Sequence, residues 1–114
     1  MNSSQILKGV LEGCLLAIIS KGETYGYEMI EKLGKYGFTM VKEGSIYPLL
    51  LRMRKEKLVE VKTKSVPSGG PQRKYYYITE KGLEELQEFK GIWMDISTSV
   101  NLLIEQEAKG ELEK

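Results

Sequence analysis

Glu43-Gly44-Ser45-Ile46-Tyr47-Pro48-Leu49-Leu50-Leu51-Arg52-Met53-Arg54-Lys55 leads into Leu58-Val59-Glu60-Val61-Lys62-Thr63-Lys64, and then, past the cluster Val66-Pro67-Ser68-Gly69-Gly70-Pro71, into Arg73-Lys74-Tyr75-Tyr76-Tyr77-Ile78. A change of period within this stretch decides the fold. Ile46, Leu50 and Met53 recur at i, i+4, i+7, the spacing of one helix face. The helix is expected to begin near Gly44 or Ser45, with Pro48 in its first turn, where a missing N–H costs little. From Leu58 the period becomes two: apolar Val59 and Val61 alternate with charged residues, as in a half-buried strand. The Pro/Gly cluster marks a turn, and the tyrosine-rich segment after it reads as the returning strand. A helix is thus followed by a glycine-tipped hairpin.

Working upstream, Ile6, Leu7, Val10, Leu11, Cys14, Leu15, Ile18 and Ile19 form a wide apolar stripe, predicting a first helix from about Ser4 to Ser20 that is covered on more than one side. Gly22 gives a stop signal. A second helix is expected from Tyr25 to Tyr36, with Thr24 as N-cap, Met29, Ile30 and Leu33 facing inward, and Gly37 closing it. Downstream, Thr79 is a good N-cap for a last helix, and Glu80 suits its positive end. Leu86, Phe89, Trp93, Ile96, Val100 and Leu103 are then spaced 3, 4, 3, 4, 3. That is the a/d seam of a short coiled coil, weakened by Gly91. The charged end is expected to fray. The order helix, helix, helix, hairpin, long helix is a winged helix-turn-helix, mainly α with a two-stranded β wing. We divide it into a winged-helix part (1–78), a dimerisation helix (79–108) and a tail (109–114).

Composition removes whole classes of function. The 114 residues contain no histidine and a single cysteine, Cys14. An intramolecular disulfide and a cysteine zinc cluster are therefore impossible, and the commonest general base and metal ligand is missing. No catalytic residue, metal site or cofactor is expected; Glu12 and Asp95 are the only candidate buried acids. No apolar run is long enough to span a membrane, and Met1 to Gln5 do not resemble a signal peptide, so a cytoplasmic protein is expected.

The net charge of +1 conceals a segregation. Residues 42–75 hold 9 basic and 3 acidic side chains, whereas residues 80–114 hold 4 basic and 9 acidic ones. The basic segment is the helix–hairpin unit. A helix fits the major groove of duplex DNA, and a hairpin beside it can follow the backbone. Arg52, Arg54, Lys55 and Lys57 lie on or just past the helix; Lys62, Lys64, Arg73 and Lys74 lie on the hairpin. Cations so placed neutralise phosphates and release counterions, which supplies most non-specific affinity.

Four blocks of residues add a resemblance: Tyr25-Gly26-Tyr27-Glu28, Glu43-Gly44-Ser45-Ile46-Tyr47-Pro48, Gly69-Gly70-Pro71-Gln72-Arg73-Lys74-Tyr75-Tyr76 and Ile78-Thr79-Glu80-Lys81-Gly82. In this order and with these gaps, the chain from about residue 8 to 104 resembles the PadR family of bacterial transcriptional regulators. The single last helix is similar to the smaller subfamily, which includes multidrug-responsive repressors. The resemblance implies a homodimeric repressor acting on a palindromic operator. By position, Ser45, Tyr47, Pro48 and Arg52 would be recognition-helix contacts, Arg73, Lys74 and Tyr75 wing contacts, and Tyr25 a neighbour of the phosphates. Trp93 matches a tryptophan that stacks planar ligands at the dimer interface in multidrug-responsive members. An effector and dimer surface of Leu7, Leu11, Phe89, Trp93, Ile96, Val100 and Leu103 is expected. Three positions depart from the family pattern: Leu51 is apolar, Arg54 replaces a usual glutamate, and Lys57 a usual glycine at the helix end.

Several residues have a plainer reading. Trp93 and Phe89 suit packing alone as well as ligand stacking. Tyr75, Tyr76 and Tyr77 favour strands whatever they contact. Cys14 reads as a small buried hydrophobe. The rival to DNA binding is a winged helix used only for protein–protein assembly.

Overall fold

A computed structural model describes residue 7 and residues 10–108. Among these, α1 is Leu11–Ile19, α2 Gly26–Lys35, α3 Glu43–Lys55, β1 Val59–Lys64, β2 Arg73–Ile78 and α4 Glu80–Ala108. The strands pair antiparallel, in register from Val59 opposite Ile78 to Lys64 opposite Arg73. No described helix is long and apolar enough to cross a membrane. The tail assigned to 109–114 lies outside the described residues.

The inward faces assemble one core. Leu15, Leu16 and Ile19 of α1, Met29 and Leu33 of α2, and Ile46, Leu50 and Met53 of α3 are fully buried. Tyr76 of the wing and Leu86 of α4 close it. Removing this much apolar surface from water is the main force holding the three helices together. Elsewhere the helix ends are built with care. At the end of α2, Gly37 at φ +100 lets the Phe38 N–H reach the Leu33 carbonyl at 3.0 Å. An equivalent turn ends α3, with Leu58 N–H on the Met53 carbonyl at 2.9 Å and Lys57 N–H on the Arg54 carbonyl at 3.0 Å. Both satisfy orphan carbonyls through a left-handed residue. At α3 that residue is Lys57, at φ +64, a conformation that disfavours any side chain.

Thr79 caps α4 as expected and also joins it to the core. Its hydroxyl accepts the Gly82 N–H at 3.0 Å and donates to the Lys57 or Leu58 carbonyl, 2.7 and 3.0 Å away. Gly82 has no room for a side chain: a Cβ there would lie 2.1 Å from the Leu58 carbonyl oxygen. Gly13 is similarly constrained, since a Cβ would meet the Phe89 ring at 2.5 Å. The two glycines set how closely α4 lies on the wing base and on α1.

Four expectations need correction. The helix expected from Ser4 is interrupted: Leu7 is helical, but Val10, whose N–H bonds to the Leu7 carbonyl at 2.9 Å, lies in a turn, and the unbroken helix α1 runs from Leu11. Residues 4–6, 8 and 9 lie outside the described set. Thr24 is not the cap of α2; Tyr25 holds that position, in extended conformation. Thr24 is instead wholly buried, paired backbone to backbone with Tyr76, and its hydroxyl donates to Glu28 at 2.7 Å. Pro48 is not in the first turn of α3. The helix starts at Glu43, so Pro48 is its sixth residue, and one interior hydrogen bond is lost. Finally, the seam of α4 does not behave as one unit. Leu86 is 3 % exposed in the subunit's own core, whereas Trp93, Ile96 and Leu103 are 44 %, 50 % and 53 % exposed.

Candidate nucleic-acid interface

Burying Ile46, Leu50 and Met53 turns the opposite side of α3 to solvent. Ser45, Tyr47, Pro48, Leu51 and Arg52 are all exposed there. Tyr47 is held at its base. Its hydroxyl donates to Glu43 at 2.9 Å, one turn earlier, and its ring tip closes over Gly26, where a Cβ would lie 2.5 Å from the hydroxyl oxygen. Partial burial, followed by the neighbouring Glu43, pushes the phenol pKa up, so Tyr47 remains a neutral donor.

Register divides the wing into two faces. Lys62, Lys64, Arg73, Tyr75 and Tyr77 share one, and Lys74 lies with Val61 and Tyr76 on the other. On the first face cations and rings interleave. Arg73 stands 4.1 Å from the Tyr25 ring centre, and the Tyr25 and Tyr75 rings meet edge to face at 5.4 Å. Lys64 lies 5.2 Å from the Tyr75 ring and Lys62 5.0 Å from that of Tyr77. Such cation–π contacts hold long side chains in place while leaving them charged.

Glu23 enters the same face from the loop before α2. It pairs with Lys64 at 2.6 Å and accepts from the Tyr77 hydroxyl. Lys64, then Tyr77, hold its carboxyl below the usual carboxylate range, and Glu23 in turn raises the Lys64 ammonium.

A cleft of about 600 Å³ joins these parts. Tyr25 and the start of α2 form one wall, Tyr47 of α3 another, and Gln72, Arg73, Lys74 and Tyr76 the third. Both arginine and lysine thus flank a helix N-terminus, where backbone N–H groups favour anions. The structure brings Tyr25, Tyr47, Arg73 and Lys74 together. Ser45 and Pro48 lie exposed on the same helix as Tyr47. Two expected contacts have other partners: Lys64 is engaged by Glu23, and Arg52 by Glu12 of α1, with Glu56 3.6 Å away.

The surface expected for dimer and effector separates in two. Leu7 and Leu11 are buried in the subunit core. Phe89 is partly buried against Gly13. Beyond it Ile92, Trp93, Ile96, Val100, Leu103 and Ile104 are exposed, and at 100° per residue they fall within an arc of roughly 120°. Between this helix and α1 lies an apolar cleft of about 510 Å³, lined by Leu7, Cys14, Phe38, Phe89 and Trp93 among others.

Sequence reasoning missed Glu23 and Gln72 and did not link Glu12 to Arg52. Glu12 and Glu23 lie about 40 residues from their partners in sequence, so no local pattern signals them. The opposite faces of Lys74 and Tyr75 were available from strand alternation.

Residues 15–88 match the model of the transcriptional regulator PadR-like family. Among solved structures, the chain is similar to a PadR-like transcriptional regulator from Bacillus cereus, at 64 % identity and a TM-score of 0.79, over 88 % of this chain and 96 % of that one. It is also similar to a Streptococcus transcriptional regulator, at 39 % identity and a TM-score of 0.76, over 87 % and 96 %. A third, Bacillus subtilis PadR in complex with operator DNA, is 26 % identical with a TM-score of 0.64, over 70 % of this chain and 46 % of that one.

Proposed function

Because this chain belongs to the PadR-like family of transcriptional regulators, we propose that it is a cytoplasmic, homodimeric repressor that binds a palindromic operator in duplex DNA. The observation that carries the reading is the junction of the exposed side of α3 with the Arg73–Lys74 cleft. Ser45, Tyr47 and Pro48 enter the major groove from the first half of α3, where a recognition helix reads base edges. Arg73 and Lys74 meet the flanking phosphates, and Tyr25 and the start of α2 support the same strand. Lys62 adds positive charge along the wing, and Arg52 and Lys64 reach DNA only by leaving their glutamates. Operator binding by the Bacillus subtilis relative supports DNA as the partner.

The exposed arc of α4 is the dimer surface. A contiguous row of exposed apolar side chains, led by Trp93, is the kind of surface that marks a protein–protein contact. Two copies then place their recognition helices in successive major grooves, roughly 34–36 Å apart. The apolar cleft beside Trp93 receives a planar effector. Such a ligand weakens operator binding only if it favours the dimer geometry that fits DNA less well.

Hydroxyl-radical footprinting on the DNA upstream of the protein's own gene tests this reading. We expect two protected half-sites one helical turn apart. Protection of a single half-site, or of none at saturating protein, contradicts it.

A further inference from the structure

A second cavity, of about 480 Å³, opens between α1 and α2. Its floor is apolar: Ala17 and Ile18 of α1, Leu33 of α2, and Phe38. Its rim is cationic. Lys21 comes from the turn after α1, and Lys32 and Lys35 from adjacent turns of one side of α2. Among the described residues, no carboxylate lines it. Lys32 is loosely paired with Glu28 at 3.8 Å, whereas Lys21 and Lys35 form no ion pair among the described residues. Trp93 does not line this cavity; it belongs to the neighbouring cleft, across Cys14 and Phe38.

An apolar trough with cations only at its mouth selects a molecule with an apolar body and one negative end. We propose that the groove between α1 and α2 binds an amphiphilic carboxylate with an aliphatic body, its chain on Ala17, Ile18, Leu33 and Phe38 and its carboxylate between Lys21 and Lys35. The volume is within the range of small-molecule sites. Each methylene buried should improve affinity about fourfold until the trough is full. The ammonium groups supply charge-assisted hydrogen bonds, which a neutral amphiphile cannot use.

Cys14, the sole cysteine, lines the wall shared by the two cavities, so the rate of its alkylation reports occupancy in the intact protein. The probes are hexanoate, octanoate and decanoate below their micellar concentrations, with decanol as the neutral control. We expect saturable protection that tightens along the series. Decanol should bind at least tenfold more weakly than decanoate. The variant K21E/K35E should bind decanoate at least tenfold more weakly and K21R/K35R like the wild type; circular dichroism verifies that each variant is folded. Absence of protection overturns the assignment. So does equal protection by decanol, or indifference to K21E/K35E, which would place the ligand in the other cleft, where neither lysine lies. None of these readings depends on DNA binding.

Discussion

At the scale of the residue, three positions make quantitative demands. Lys57 holds a left-handed conformation that glycine adopts freely. Lys57→Gly is therefore expected to stabilise the protein by roughly 0.5–1 kcal/mol, the steric relief outweighing the added freedom of the unfolded chain. Denaturant melts at matched protein concentration measure it; a loss of stability would mean that the Lys57 side chain makes a contact worth more than its backbone strain. Gly82→Ala has the opposite sign. A methyl group 2.1 Å from the Leu58 carbonyl must push α4 off the wing base, at a cost of about 1–3 kcal/mol. Glu23 makes a prediction about pH. Its carboxyl pKa lies below the ordinary 4.5, so its contribution to stability is present above that value and is lost as pH falls through the lower, folded-state pKa. Wild type and Glu23→Gln should thus differ in melting temperature near neutral pH and converge in acid. A difference that persists at the acid end would show that the ion pair with Lys64 is not its source.

At the scale of the element, the wing makes the sharpest distinction. Lys74 is in no ion pair among the described residues, whereas Lys64 is already neutralised by Glu23. Lys74→Ala should flatten the salt dependence of DNA binding by about one unit, and Lys64→Ala by clearly less. Equal changes would mean that Lys64 leaves Glu23 when DNA arrives. The elements themselves were the most legible part of the sequence, because periodicity reports burial directly. Ile46, Leu50 and Met53 proved to be the buried face of α3, and Arg73 to Ile78 the returning strand. What could not be read was set by distant contacts. Thr24 looks like a helix cap in isolation, but pairing with Tyr76 takes up its backbone. Pro48 suggests a helix start, yet α3 begins five residues earlier, at Glu43. Arg52 reads as a DNA contact from its place on α3, but the fold brings Glu12 of α1 to it.

At the scale of the whole molecule, α4 gives the protein its shape. The described residues extend 63 × 28 × 20 Å, and the long dimension reflects a 29-residue helix that runs past the core. Its exposed arc is the reason to expect a dimer. Ile96→Glu combined with Val100→Glu places two charges on that arc and should give a monomer in sedimentation equilibrium, with the winged-helix core still folded. An unchanged mass would assign the arc to some other contact. The charge segregation visible in the sequence, basic in the helix–wing unit and acidic in α4, corresponds to the division between the proposed DNA side and the dimer side. The measurement that tests the central claim most directly is a fluorescence anisotropy titration of the DNA upstream of the protein's own gene, at two salt concentrations, against a scrambled duplex. The account predicts saturable binding at two subunits per site, weakened by salt and lost on scrambling. No binding to either duplex, even at low salt, would contradict it and leave a winged helix used for protein–protein assembly.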